Sequence, residues 1–170
     1  MTDIQLEPPA QDLAALQRTL APLELYRKFL SGGRARAPMA EHMNMTMTEV
    51  EYGRIVFTSV PEAKYYNPMG TVHGGYFGTL LDTAMGCAVH TACKAGQGYT
   101  TLEYKVTLIR AMTATTGSVY CEGRILNVGS RIGTAQGTIT DGKGKIYAHG
   151  ATTCLIFPCE VIRPPPQKNR

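Results

Sequence analysis

Residues 74–94 constrain this chain more than any other segment. Read at helical spacing, the stretch is apolar almost all round, through Tyr76, Phe77, Leu80, Leu81, Ala84, Met85, Ala88 and Val89. A helix with no polar face is enclosed, not laid on a surface. No apolar run here reaches the length of a membrane span, so the rest of the chain must do the enclosing. Downstream, residues 99–109, 117–126, 131–140 and 145–157 read as strands, with Asp141-Gly142-Lys143-Gly144 as a tight hairpin turn. Upstream, Met43, Met45, Met47 and Val50 alternate from about Ala40, and residues 55–60 return as a second strand. About six antiparallel strands wrapped around one long central helix make an α+β fold.

A chain of 170 residues fits one folded domain. The strand and helix patterns place it at residues 40–157. Residues 1–39 form a tail and a helical extension. Leu13, Leu16, Leu20, Leu23, Phe29 and Leu30 return to one side over residues 10–31, Pro22 divides the helix, and Ser31-Gly32-Gly33 ends it. We expect this helix to cap the domain from outside the main core. Residues 158–170, with three consecutive prolines and a basic end, read as an extended or disordered tail.

The net charge of +4 is scattered, with small clusters at Arg34/Arg36 and Lys143/Lys145. No long run of like charge is present, so no nucleic-acid partner is expected. A mildly positive field suits an anionic small molecule. The five cysteines are odd in number and lack metal-ligand spacing, which reads as buried reduced thiols in a cytoplasmic protein. The N-terminus has no secretory pattern, and no membrane partner is expected.

Two irregularities carry chemical meaning. Asp82 lies inside the apolar helix, between Leu81 and Ala84, and is the sole carboxylate between Glu62 and Glu103. Burying it without partners would cost several kcal/mol or force its protonation. The other is the segment Asn67-Pro68-Met69-Gly70-Thr71-Val72-His73-Gly74-Gly75 at the helix mouth. The first amides of a helix lack internal partners and carry partial positive charge, which suits a carbonyl oxygen that becomes negative during reaction. Asp82 follows Gly74 by two helical turns, about 12 Å along the axis. One chain does not bring the two together. Two antiparallel copies related by a two-fold would place the aspartate of one near the helix mouth of the other.

At these residues the sequence resembles the hotdog thioesterase superfamily, and within it the phenylacetate-pathway (PaaI-like) branch. The stretch NPMGTVHGGYFGTLLDTAMGCAV at 67–89 carries the pattern: an asparagine, a His-Gly-Gly, and an aspartate nine residues after the histidine. The resemblance continues through TTLEYKVTLIRAM at 100–112 and covers about residues 40–157. It implies a cytoplasmic acyl-CoA thioesterase needing no metal and no cofactor, coenzyme A being part of the substrate. It implies a homodimer or a dimer of dimers with composite sites. Asp82 matches the carboxylate that activates water or attacks the thioester. Gly74 matches the glycine whose N–H polarises the carbonyl, and Asn67 the amide that positions water or carbonyl. His73 matches a histidine that orients its neighbours, and Thr101 a hydroxyl beside the carboxylate.

Substrate contacts are expected from Gly75 and from Tyr76 and Phe77, which could serve an acyl pocket or the core. Arg131 is the first candidate for the coenzyme A phosphates, ahead of Lys143, Lys145 and Arg110. His90, at the end of the helix, suits a cation on the dipole. Two other readings stand beside hydrolysis: an acyl-thioester hydratase or dehydratase on the same fold, and a non-catalytic acyl-CoA sensor.

Overall fold

The computed structural model describes residue 16 and residues 18–31 and 37–159. Helix α1 runs Pro22–Leu30. Pro22 sits in its first turn, where a missing N–H costs nothing. Leu25 is buried and Leu23 and Tyr26 pack against the core, so this helix is joined to the domain more closely than an external cap. The helical reading over 10–15 and the tail beyond Cys159 lie outside the described residues.

A short helix α2, Pro38–His42, stands where the alternation pattern placed the first strand. Pro38 follows the extended Ala37 and starts a helical turn, and Met43 closes it. Met43 and Met45 are buried as expected, from a turn instead of a strand. Strand β1 is Thr46–Glu51, and Gly53, at φ +74°, turns the chain into β2, Arg54–Ser59. A bulge between Met47 and Glu49 interrupts the alternation.

Helix α3 spans Gly74–Thr91, shorter than expected because Ala92 caps it and Gly96, at φ +75°, turns the chain. Strands β3 (Gln97–Leu108), β4 (Val119–Val128), β5 (Ile132–Asp141) and β6 (Ile146–Pro158) follow. All six strands form one sheet in the order β1-β2-β4-β5-β6-β3, antiparallel at each pairing. This is the α+β architecture expected from the sequence. The late strand order leaves β3 at an edge, beside the helix it follows.

A row of glycines seats the helix on the sheet. Gly123, Gly137 and Gly150 are cross-strand neighbours on β4, β5 and β6. A methyl at Gly123 would lie 2.2 Å from the Ala84 carbonyl oxygen, and one at Gly137 2.8 Å from Met85 Cγ. Helix backbone therefore rests almost directly on strand backbone. Above that row, Leu80, Leu81, Ala84, Met85, Ala88 and Val89 are fully buried. Among the described residues, no helix is long and apolar enough to cross a membrane.

His90 corrects an expectation. It is not a cation at a solvated helix end. Its ring is buried, with Nδ1 2.8 Å from the Tyr26 hydroxyl and Nε2 3.2 Å from the Gln97 carbonyl. Burial holds its pKa below the ordinary histidine value, so the neutral form is favoured. The Gln97 carbonyl can only accept, so Nε2 carries the proton and Nδ1 accepts from Tyr26. All five cysteines are free, and Cys93, Cys121 and Cys154 are buried. Burial pushes the Cys93 thiol up to about 11, far from a reactive thiolate.

Candidate active site

The mouth of α3 is fixed from both sides. The Val72 N–H donates to the Met112 carbonyl at 2.9 Å, and the His73 N–H to the Tyr65 carbonyl at 2.8 Å. Asn67 shapes the approach: its Oδ1 accepts from the Met69 N–H at 2.9 Å, and its Nδ2 donates to Thr71 Oγ1 at 3.1 Å. That is an Asx turn, and it leaves the second Nδ2 hydrogen uncommitted.

His73 is the N-cap. Its Nδ1 accepts from the Gly75 N–H at 2.9 Å, and its backbone carbonyl accepts from the Tyr76 N–H at 3.0 Å. A ring nitrogen that accepts carries no proton, so His73 acts here as an orienting group. With Gly75 capped, the Gly74 N–H has no hydrogen-bond partner among the described residues. It points from the positive end of the helix. A methyl at Gly74 would lie 3.2 Å from Leu108 Cδ1, so β3 packs close against the helix mouth. An open groove of about 290 Å³ lies before it, lined by Asn67, Gly74, Phe77, Leu108 and Arg110 among others.

Asp82 sits two turns further on, half-buried. Thr101 Oγ1 donates to its Oδ1 at 2.8 Å. One hydrogen bond fixes the carboxylate and leaves its other oxygen available. Both side chains therefore occupy one helix–strand seam, with the free amide at the far end of it.

The structure divides the other expected residues. Phe77 lines the groove. Tyr76 does not: its hydroxyl meets Ser59 Oγ at 2.7 Å, its ring lies 5.0 Å from that of Tyr65, and burial pushes its phenol up to about 12. It is a core pillar. Gly75 is exposed, but His73 holds its amide. Arg131 stands away from the groove, before β5, where its carbonyl accepts from the Ile156 N–H. Nearby Gly133 packs on Val89, toward the other end of α3. Arg110, ranked lower from sequence, is the cation in the groove; its Nη1 donates to the Ile146 carbonyl at 2.5 Å. Leu108 and Ile109 also line it, and nothing in their spacing announced this.

Residues 69–148 match the thioesterase superfamily. The central segment of this chain belongs to that superfamily, on the hotdog fold. No curated protein matches the sequence. Among solved structures, a phenylacetic acid degradation-related protein of Ralstonia eutropha is similar at TM-score 0.69 and 23% identity, over 76% of this chain and 98% of that one. A conserved protein of Pseudomonas aeruginosa gives 0.67 and 26%, over 72% and 95%. A Streptococcus mutans protein bound to acetyl-CoA gives 0.62 and 22%, over 75% and 94%. These likenesses extend the hotdog assignment beyond the matched segment, on both sides of α3.

Proposed function

We propose that this thioesterase-superfamily protein hydrolyses acyl-CoA thioesters to the free acid and coenzyme A, as a PaaI-like enzyme working from composite sites in a homodimer or a dimer of dimers. The observation that carries the reading is the pairing of an unpartnered Gly74 amide with a carboxylate, Asp82, held by one hydrogen bond on the same helix. The acetyl-CoA bound to the Streptococcus mutans relative and the description of the Ralstonia eutropha relative support the substrate class and the branch.

Within one chain the two groups are about 12 Å apart along the helix, too far to serve one carbonyl. A second copy supplies the missing half. Strand β3 ends the sheet and carries Leu102, Tyr104 and Leu108 about half exposed, with Ile109 equally exposed just after it. Such an apolar edge is a template for another strand. Antiparallel pairing there sets Asp82 of one chain against Gly74 of the other.

In that site the Gly74 N–H receives the thioester oxygen as it gains charge. Water attacks the carbonyl carbon, and its proton passes to Asp82. The tetrahedral intermediate collapses, expels the coenzyme A sulfur as thiolate, and the thiolate recovers the proton. The alternative use of the same atoms is direct attack by the free Asp82 oxygen, giving an anhydride that water opens. Single turnover in heavy-oxygen water tests direct attack: label retained in Asp82 marks an anhydride opened at the aspartyl carbon.

Asn67 and His73 set the loop and helix mouth, and Thr101 orients the carboxylate. Arg110 is at the groove for the coenzyme A arm. Arg131, before β5 and close to Gly133, which packs on Val89 toward the far end of α3, is our candidate for the phosphates of the neighbouring site. Release of free thiol from acyl-CoA, followed with a thiol reagent, tests the activity. We expect turnover by the native protein and none by Asp82→Asn. Saturable acyl-CoA binding without thiol release would contradict hydrolysis. Comparing coenzyme A with its dephosphorylated form on Arg131→Ala tests the phosphate assignment: the native protein discriminates the two and the variant does not.

A further inference from the structure

A third residue lies in the seam between the free amide and the carboxylate. Gly74, Gly78 and Asp82 are four apart and form one stripe of α3. Three residues of β3 face it in reverse order. Leu108 lies against Gly74, Tyr104 against Gly78, and Thr101 bonds Asp82. A methyl at Gly78 would lie 3.3 Å from the Tyr104 hydroxyl oxygen and 3.6 Å from its ring. The tyrosine therefore fills the space that the glycine leaves.

This placement is built into the strand. Thr101 and Tyr104 are three apart, and a regular strand would send them to opposite faces. A bulge between Thr101 and Glu103 adds one residue opposite β6 and brings both to the helix side. Tyr104 is 49% exposed, and its hydroxyl makes no hydrogen bond among the described residues. Burial or a polar partner within one chain does not explain it.

Position 78 lies midway between 74 and 82. In a dimer that sets Asp82 against the partner's Gly74, residue 78 faces its own copy on the two-fold axis. Each Tyr104 then stands at the centre, one helical turn, about 6 Å, from the free amide of its own chain. A thioester held at that amide has two arms. The groove past Asn67 and Arg110 is open and carries the Arg110 cation, which suits the anionic coenzyme A arm. The acyl arm must run the other way, along the stripe toward Gly78.

We propose that Tyr104 forms the end wall of the acyl site and restricts the enzyme to compact acyl groups, a short chain or a single ring. The inference rests on the thioesterase reading and adds its substrate class. The ring supplies the wall and the hydroxyl is dispensable, so Tyr104→Phe keeps the selectivity and Tyr104→Ala loses it.

The test measures kcat/KM of the intact protein on butyryl-, phenylacetyl-, lauroyl- and palmitoyl-CoA, with oligomeric state followed by light scattering. The native protein and Tyr104→Phe favour the two compact substrates. Tyr104→Ala raises the long-to-short ratio by about tenfold or more, the scale on which apolar pockets discriminate methylenes. Tyr104→Leu keeps the strand apolar and moves the ratio the same way by less, which covers the case in which Tyr104→Ala does not fold or pair. A fold defect lowers all substrates together and leaves the ratio unmoved. An unchanged ratio in folded Tyr104→Ala or Tyr104→Leu overturns the proposal alone, as does a native preference for long chains. A native protein that releases no thiol from any of the four overturns the hydrolase reading and this inference with it.

Discussion

Asp82 and His90 are both titratable side chains of α3, and they are finished differently. At the C-terminal end, His90 is buried and both ring nitrogens are bonded, to Tyr26 and to Gln97. Toward the middle, Asp82 is half-buried, one hydroxyl holds it, and an oxygen is left over. At the mouth, the Gly74 amide has no bond at all among the described residues. A polar group with its bonding capacity filled by its own chain is structural. A fixed group with capacity to spare, beside an open groove, is available for chemistry. The difference lies in unfinished bonding more than in depth of burial.

The strongest break of this comparison is at Asp82. Asp82→Asn keeps shape and the Thr101 contact but cannot take a proton. We expect kcat to fall by about 10² to 10⁴-fold, the usual worth of general base catalysis, with the thermal midpoint nearly unchanged. At the other end the pattern reverses. His90→Ala opens a cavity and strands the Tyr26 hydroxyl and Gln97 carbonyl, so chemical denaturation should show a loss of about 2–4 kcal/mol. Activity per folded molecule should hold.

Thr101→Val sharpens the same contrast on a smaller scale. It removes one hydrogen bond to a carboxylate and keeps the side-chain volume. We expect kcat to drop by about tenfold with KM little changed, measured on one compact acyl-CoA. The smallest effect is a pH dependence of stability. His90 titrates lower in the folded chain than in the unfolded one. The unfolded state therefore binds more protons as pH falls below about 6.5. His90 makes no pH-dependent contribution above that value, and stability is lost from there down to its folded pKa. Thermal midpoints of the native chain should decline over that window, and His90→Gln should flatten the decline.

Much of this was legible in the sequence because it rests on local patterns. An all-apolar helix announces a wrapping sheet, and the Asn67, His73-Gly74 and Asp82 spacing marks the helix mouth and its acid. What escaped depends on contacts between distant elements. Gly123, Gly137 and Gly150 are unremarkable one at a time, and only cross-strand register lines them up beneath Ala84 and Met85. The bulge after Thr101 shifts Tyr104 and Leu108 onto the helix side, against the strict alternation that sequence reading applies. His90 was misread for the same reason: its partners, Tyr26 and Gln97, come from α1 and β3. Pro38 started a helical turn that the methionine alternation concealed.

Subunit complementation tests the composite site most directly. Gly74 is the first helical residue, and His73 before it is extended, at ψ 141°, as a residue preceding proline requires. Gly74→Pro therefore deletes the free N–H with little disturbance of the backbone. Each homodimer, Gly74→Pro or Asp82→Asn, should be nearly inactive. Mixed dimers of the two should recover one working site each, built from the intact Gly74 of one chain and the intact Asp82 of the other. Mixed dimers no more active than either parent would contradict the account.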